Sequence, residues 1–368
     1  MSIELNWFLP THGDGRHLVD GAGSAQAGGG PRGQREPDID YLVQAAQAAE
    51  YAGLHAMLVP TGAQCEDGWL ATAALAQETR RLKFLVAFRP GFELPAYAAQ
   101  KAASLQAFSG NRLLLNVVTG GNAAEQQAYG DFLDHDARYG RTAEFLHTVR
   151  QLWRGPRQDH AGEHYRVEQG GLAAPLPVTP PIYFGGASAA AEQVAARHSD
   201  VYLLWGETPD MLKERITRVR GLARAAGREL RFGVRLHVIA RATEQQAWVQ
   251  AAKLLHEVPR EAIERSRRHL ARSEAVGQHR MLGLYDGGPI HDVRDLEVAP
   301  NLWAGVGLVR GGAGTALVGS YAQVAERIQQ YHDELGISAF ILSGYPNLEE
   351  SLRFGERVVP LLERPREA

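Results

Sequence analysis

Short apolar runs, eight in all, alternate along this chain with stretches whose apolar residues fall at helical spacing. Residues 3–9, 55–59, 82–88, 112–118, 181–184, 201–204, 232–241 and 340–342 read as strands, rich in Val, Leu, Ile and Phe. Residues 40–52, 95–108, 142–153, 189–198, 209–226, 244–270, 320–335 and 348–362 read as helices. Residues 134–139 fall in a long loop, and 164–167 form a short excursion before the proline-rich 175–181. Eight strands alternating with helices in one chain predict an α/β fold of the closed (β/α)8 TIM-barrel type, one domain over residues 1–368, rather than an open doubly wound sheet. Two segments break the pattern. Residues 21–33, GAGSAQAGGGPRG, are too poor in large apolar groups to pack and mark a flexible insert spanning about 19–37. Residues 270–319 are irregular and contain GVGLVRGGAG at 305–314, whose glycine density predicts a mobile lid and whose order does not match a dinucleotide-binding fingerprint.

The polar residues that interrupt the apolar runs are not scattered. His12, Cys65, Asn116, Thr119, Ser188, Trp205, Arg235, His237 and Tyr345 lie in or just after successive strands. A barrel collects such positions near one rim, where barrel enzymes carry their chemistry. In residues 232–241 the period of two places Arg235 and His237 on one face, and a buried guanidinium needs an anion or strong hydrogen-bonding partners. The competing reading is an arginine paired with a core carboxylate beside a satisfied core histidine. Gly185-Gly186-Ala187-Ser188 before a helix is either a phosphate seat, since free N–H groups and the helix dipole favour an anion, or an ordinary cap.

Composition narrows the function classes. With Lys+Arg 39 against Asp+Glu 42 the net charge is -3, so no global field attracts nucleic acid or an anionic membrane, and any anion must be met locally. One cysteine excludes an intramolecular disulfide and a cysteine-based metal site. The histidines show no ligand spacing, which argues against a catalytic metal. The first residues lack a basic, then apolar, leader pattern and no run reaches membrane-span length, so the chain is expected to be soluble and cytoplasmic.

WFLPTHGDG (7–15), PTGAQCEDGW (60–69), NVVTGG (116–121), LDHDARY (133–139), YFGGAS (183–188), LWGE (204–207), RFGVRLHVIAR (231–241), NLWAGVGLVRGGAGTALVG (301–319) and SGYPNLEE (343–350) together resemble the alkanesulfonate monooxygenases of the bacterial-luciferase-like superfamily, over essentially the whole chain. The resemblance implies the oxygenase half of a two-component system. Reduced FMN from a separate NAD(P)H-dependent reductase, with dioxygen, cleaves the C–S bond of an alkanesulfonate to an aldehyde and sulfite. It implies that Arg235, His237, Arg310, Tyr345, Cys65, His12 and Trp205 occupy active-site positions. Asn116, Thr119 and Tyr139 would meet the flavin, with Gly186 and Ser188 at its phosphate. It also implies a homo-oligomer, a tetramer. A sulfonate is a permanent anion, so guanidinium groups are its natural partners, and Arg235 and Arg310 are the candidates. Cys65 reads either as a flavin or substrate contact or as a small side chain beside the site, and Trp205 as a pocket wall or a packing residue. Three departures stand out: the insert at 21–33, RPGFELPAY at 89–97 in place of a serine-proline run, and a short C-terminus. Two alternatives stay open, a luciferase-like oxygenase of another organosulfur compound such as a sulfone, and a flavin-binding protein without turnover.

Overall fold

The computed structural model describes residues 2–19 and 35–362; the expected glycine-rich insert at 21–33 and the end of the chain lie outside the described residues. Eight parallel strands close into a barrel. They are β1 (Glu4–Phe8), β2 (Ala56–Val59), β3 (Lys83–Phe88), β4 (Leu113–Val117), β5 (Ile182–Gly185), β6 (Val201–Trp205), β7 (Arg231–Arg235) and β8 (Ile337–Leu342). Each pairs with its sequence neighbours, and β8 closes the ring on β1 with Glu4 opposite Ala339. The expected (β/α)8 barrel is therefore borne out, because near-continuous Val, Leu, Ile and Phe runs bury both faces of each strand.

The helices between strands begin at side-chain caps that cover the first free N–H groups. Asp38 caps Ile39–Tyr51, Asp67 caps Gly68–Glu78 and Ser188 caps Ala189–His198. Several boundaries differ from the sequence expectation. The stretch 134–139, expected as loop, is the cap and first turn of helix His135–Leu152, with Asp134 accepting from the Ala137 amide at 2.8 Å. Helix Gly68–Glu78 was not anticipated, although Asp67 announces it. Residues 244–270 form two helices, Glu244–His256 and Arg260–Leu270, because Pro259 cannot continue the first. Residues 348–362 likewise divide into Asn347–Arg357 and Val359–Leu362 around Pro360.

The largest correction falls on residues 232–241, which are two strands, not one. Through Arg235 the chain belongs to the barrel. The Leu236 amide still donates to Ile341 of β8, but the His237 amide donates to Thr315, and His237–Arg241 runs parallel to Ala316–Ser320 in a second sheet with Leu302–Trp303 and Glu297–Ala299. This sheet belongs to the irregular region and stands beside the barrel rim. The predicted excursion is an antiparallel hairpin, Gln158–Ala161 with Arg166–Gly170.

Candidate active site

Ser343, one residue past β8, joins the two halves of the broken strand. Its hydroxyl accepts from Arg235 Nη2 at 2.7 Å and lies 2.8 Å from His237 Nδ1. His237 Nε2 sits 3.2 Å from the Ala313 carbonyl. A carbonyl only accepts, so Nε2 carries the ring proton, Nδ1 is bare, and the Ser343 hydroxyl donates to it. His237 is thus neutral with both nitrogens committed. Burial first, then the charges of Arg235 and Arg310, hold it well below the ordinary histidine range.

Arg235 is buried and spends Nη1 on the carbonyls of Leu236 and Ile341. Arg310 comes from the glycine-rich segment and donates from Nη1 to the Tyr345 hydroxyl at 3.0 Å. Both guanidinium groups lie over the Phe8 ring, 4.9 and 5.3 Å from its centroid. Phe8 is fixed in turn, because its carbonyl accepts from Asn347 Nδ2 at 2.9 Å and the Asn347 amide donates to buried Asp14. Among the described residues neither arginine has a carboxylate within ion-pair distance. Burial, then the charge of Arg310, push Arg235 well below its ordinary value. Two like charges, dried and set over one ring, can be met by an anion placed between them.

Tyr345 stacks on His237, with ring centroids 5.6 Å apart and planes at 16°. Since its oxygen accepts from Arg310, its phenolic proton can be given to a molecule in the site. His12 stands edge-on to Phe8 at 6.1 Å. Cys65 is half-buried, and burial pushes its thiol up; a protonated thiol is a weak donor, not a nucleophile. Trp205 ends β6 opposite Arg235 in the ladder and lies under helix Val276–Leu282, where a Cβ on Gly277 would come within 3.1 Å of the indole. A cavity of about 20 Å³, room for one water-sized group, remains among Phe8, Arg310, Ser343 and Tyr345. The glycine-rich segment is folded here as a turn, Gly305–Leu308, drawn against Gly314 by a 2.8 Å backbone hydrogen bond between Gly307 and Gly314.

A second group forms on the β4 and β5 exits. Tyr139, on the first turn of its helix, hydrogen-bonds to Ser188, and burial raises its phenol. Gly186 has φ +142°, and a Cβ there would meet Ala191 at 2.6 Å and the Tyr139 hydroxyl at 3.1 Å, so the backbone itself forms this wall. Ser188 caps Ala189–His198 through the Ala191 amide, leaving earlier amides of that turn for an anion. Cap and phosphate seat are therefore compatible. Asn116 is buried at the end of β4, and Thr119 bonds Thr142 through its hydroxyl at 3.3 Å and Gln126 through its carbonyl at 2.8 Å. A glycine-lined turn at a helix N-terminus, with a tyrosine and a serine hydroxyl, fits the phosphate end of FMN.

The structure gathers Arg235, His237, Arg310 and Tyr345 in one cluster and Tyr139, Gly186 and Ser188 in another. Ser343, Phe8 and Asn347 went unread in the sequence. Only Ser343 carried a signal, a hydroxyl at a strand exit. No helix among the described residues is long and apolar enough to cross a membrane, and no group of three His, Cys, Asp or Glu there could hold a metal.

The fold has solved relatives at low identity. A riboflavin lyase superposes with TM-score 0.78 at 21% identity, covering 98% of this chain and 91% of that one. A long-chain alkane monooxygenase gives 0.76 at 22%, covering 99% and 91%. EDTA monooxygenase from Chelativorans sp. BNC1 gives 0.75 at 20%, covering 99% and 94%. The sequence profile described as luciferase-like monooxygenase matches residues 3–338. With the closed barrel and a polar rim at its strand exits, that match means the chain belongs to the luciferase-like monooxygenase family.

Proposed function

We propose that this chain is the oxygenase of a two-component system that uses reduced FMN and dioxygen to split the C–S bond of alkanesulfonates, releasing an aldehyde and sulfite. The observation that carries this reading is the pair Arg235 and Arg310 over Phe8, with no carboxylate partner among the described residues. A neutral substrate such as an alkane or a sulfone has no use for two fixed positive charges, whereas a sulfonate offers three acceptor oxygens to them. Tyr139, Gly186 and Ser188 would hold the flavin phosphate, with Asn116 and Thr119 nearer the ring. Reduced flavin supplies the electrons that activate dioxygen.

The chain's own residues then have separate tasks. Arg235, immobilised by three acceptors, fixes one side of the sulfonate. Arg310 closes the other side and carries the glycine-rich segment with it. Since the cavity admits about one water-sized group, that segment withdraws for entry and returns to exclude solvent. His237 holds its proton on Nε2 toward Ala313 and pins the returned segment. Tyr345 is the donor left for a developing oxyanion. The reading is tested by sulfite release from short to long alkanesulfonates, with dioxygen and a flavin reductase supplying reduced FMN. Sulfite is expected, with a preferred chain length. Flavin binding without sulfite from any member of the series would overturn the reading.

A further inference from the structure

Arg89, the first residue after β3, is buried, and its guanidinium is only half used. Nη2 donates to Glu125 Oε2 at 2.6 Å, and the other oxygen of Glu125 accepts from the Ala63 amide at 2.8 Å. The Phe92 ring lies 5.2 Å from the guanidinium carbon and is itself stacked on Tyr129 at 4.7 Å. The group is therefore pinned on one edge and one face. Nε and Nη1 are buried and lack a hydrogen-bond partner among the described residues. Two unmet nitrogens on a buried cation are costly to keep, and a fold retains them where a ligand meets them.

The neighbourhood narrows the ligand. A Cβ on Gly62 would lie 3.6 Å from both Cys65 Sγ and Glu125 Oε1, so Arg89 reaches the Cys65 turn through a single carboxylate. The Cys65 thiol feels the charges of both Arg89 and Arg310. In the barrel order β3 stands diametrically across from β7, so Arg89 and Arg235 stand on opposite sides of the same rim. Along the ladder β3 adjoins β4, with Ala87 opposite Asn116 and Phe88 opposite Val117, so Arg89 stands beside the turn holding Thr119. The sulfonate's charge is already matched by Arg235 and Arg310. Next to Asn116 and Thr119 the remaining anion is the flavin ring, which on reduction ionises near neutral pH and spreads negative charge over its N1 and C2 carbonyl.

We propose that Arg89 is a flavin-binding residue whose free edge, Nε and Nη1, receives the anionic N1–C2 carbonyl edge of reduced FMN and so favours the reduced over the oxidised cofactor. This rests on the proposed use of reduced FMN. Glu125 opposes it: by half-neutralising Arg89 it keeps the site from holding reduced flavin too tightly.

The test is anaerobic titration of the full-length protein with reduced FMN and aerobic titration with oxidised FMN, comparing dissociation constants. Arg89→Met is expected to weaken reduced FMN by about 10- to 100-fold, the range of a charge-assisted contact, and to change oxidised FMN little. Glu125→Gln keeps an acceptor for the Ala63 amide but removes the opposing charge, so it is expected to tighten reduced FMN. A merely structural Arg89–Glu125 pair predicts losses in both variants for both flavins, and that pattern overturns the proposal. So does an Arg89→Met variant with unchanged flavin binding and a raised KM for sulfonate, which would make the substrate the ligand. If Arg89→Met does not fold, the sign of the Glu125→Gln effect decides alone. Wild-type protein that binds no reduced FMN would instead refute the cofactor reading itself.

Discussion

Strand β7 carries an arginine at each end, and the two live in opposite surroundings. At the lower end Arg231 Nη1 donates to Glu4 Oε1 at 2.7 Å, and the Tyr183 hydroxyl donates to the other Glu4 oxygen at 2.9 Å. Burial alone would depress this guanidinium, yet the hydrogen bond and charge of Glu4 raise it. At the upper end Arg235 meets two carbonyls, a hydroxyl and another arginine, and is pushed well below its ordinary value by burial and then by Arg310. One arginine belongs to a satisfied ion pair. The other is held in a state that only a bound anion relieves. Under the proposed function the same residue type, four positions apart, serves stability at the bottom of the barrel and recognition at the top.

Breaking the upper end has the largest expected effect. Arg310→Ala and Arg235→Ala should each lower kcat/KM for an alkanesulfonate by about 10²–10³-fold, as loss of a fixed donor at a developing charge does. Thermal unfolding of the volume-conserving Arg310→Met and Arg235→Met variants should show stability unchanged or raised, because a like-charge contact disappears. A lower Tm in both variants with kcat/KM intact would reverse the comparison. Ser343→Ala comes next. It leaves Arg235 Nη2 and His237 Nδ1 without their shared partner, so about a 10-fold fall in kcat is expected from a misaligned Arg235, with partial recovery in Ser343→Thr; steady-state kinetics on the pair of variants decides.

Arg231→Met sharpens the contrast from the other side. Chemical denaturation should show a loss of about 1–2 kcal/mol, below the 3–5 of a fully buried pair because a third of Arg231 stays exposed. The kcat/KM of the folded fraction should match wild type. The smallest effect concerns pH. His237 has a folded pKa below its unfolded value of about 6.5, so the unfolded chain binds more protons between the two. The stabilisation is fully present above about pH 6.5 and is lost as pH falls toward the folded value. Hydrogen exchange of residues 302–318, corrected for intrinsic rates, should therefore be faster at pH 5.5 than at pH 7.5. Equal protection would mean that His237 does not pin that segment.

The barrel was legible because its strands are long apolar runs bounded by turn residues, and both the helix Ala189–His198 and the strand exits fell where the spacing put them. What failed were partner choices. The alternation of residues 232–241 runs unbroken through Leu236, and nothing in it reveals that the His237 amide turns from β8 to Thr315. Arg235 and His237 were still correctly expected as neighbours, but their link is Ser343, more than 100 residues away. Pro259 is visible in the sequence as a helix breaker, and it is there that residues 244–270 divide into two helices. Arg89 was visible too. Its importance was not, since it depends on Glu125, 36 residues on, taking one edge and leaving the other.

The most direct measurement of the anion site is the ratio of kcat/KM for an alkanesulfonate to that for a methyl sulfone of the same chain length, with reduced FMN supplied in both assays. A ratio of at least about 10², collapsing toward one in Arg310→Ala, is the predicted result. A ratio near one in the wild-type protein would contradict it and show that the two arginines over Phe8 do not select charge.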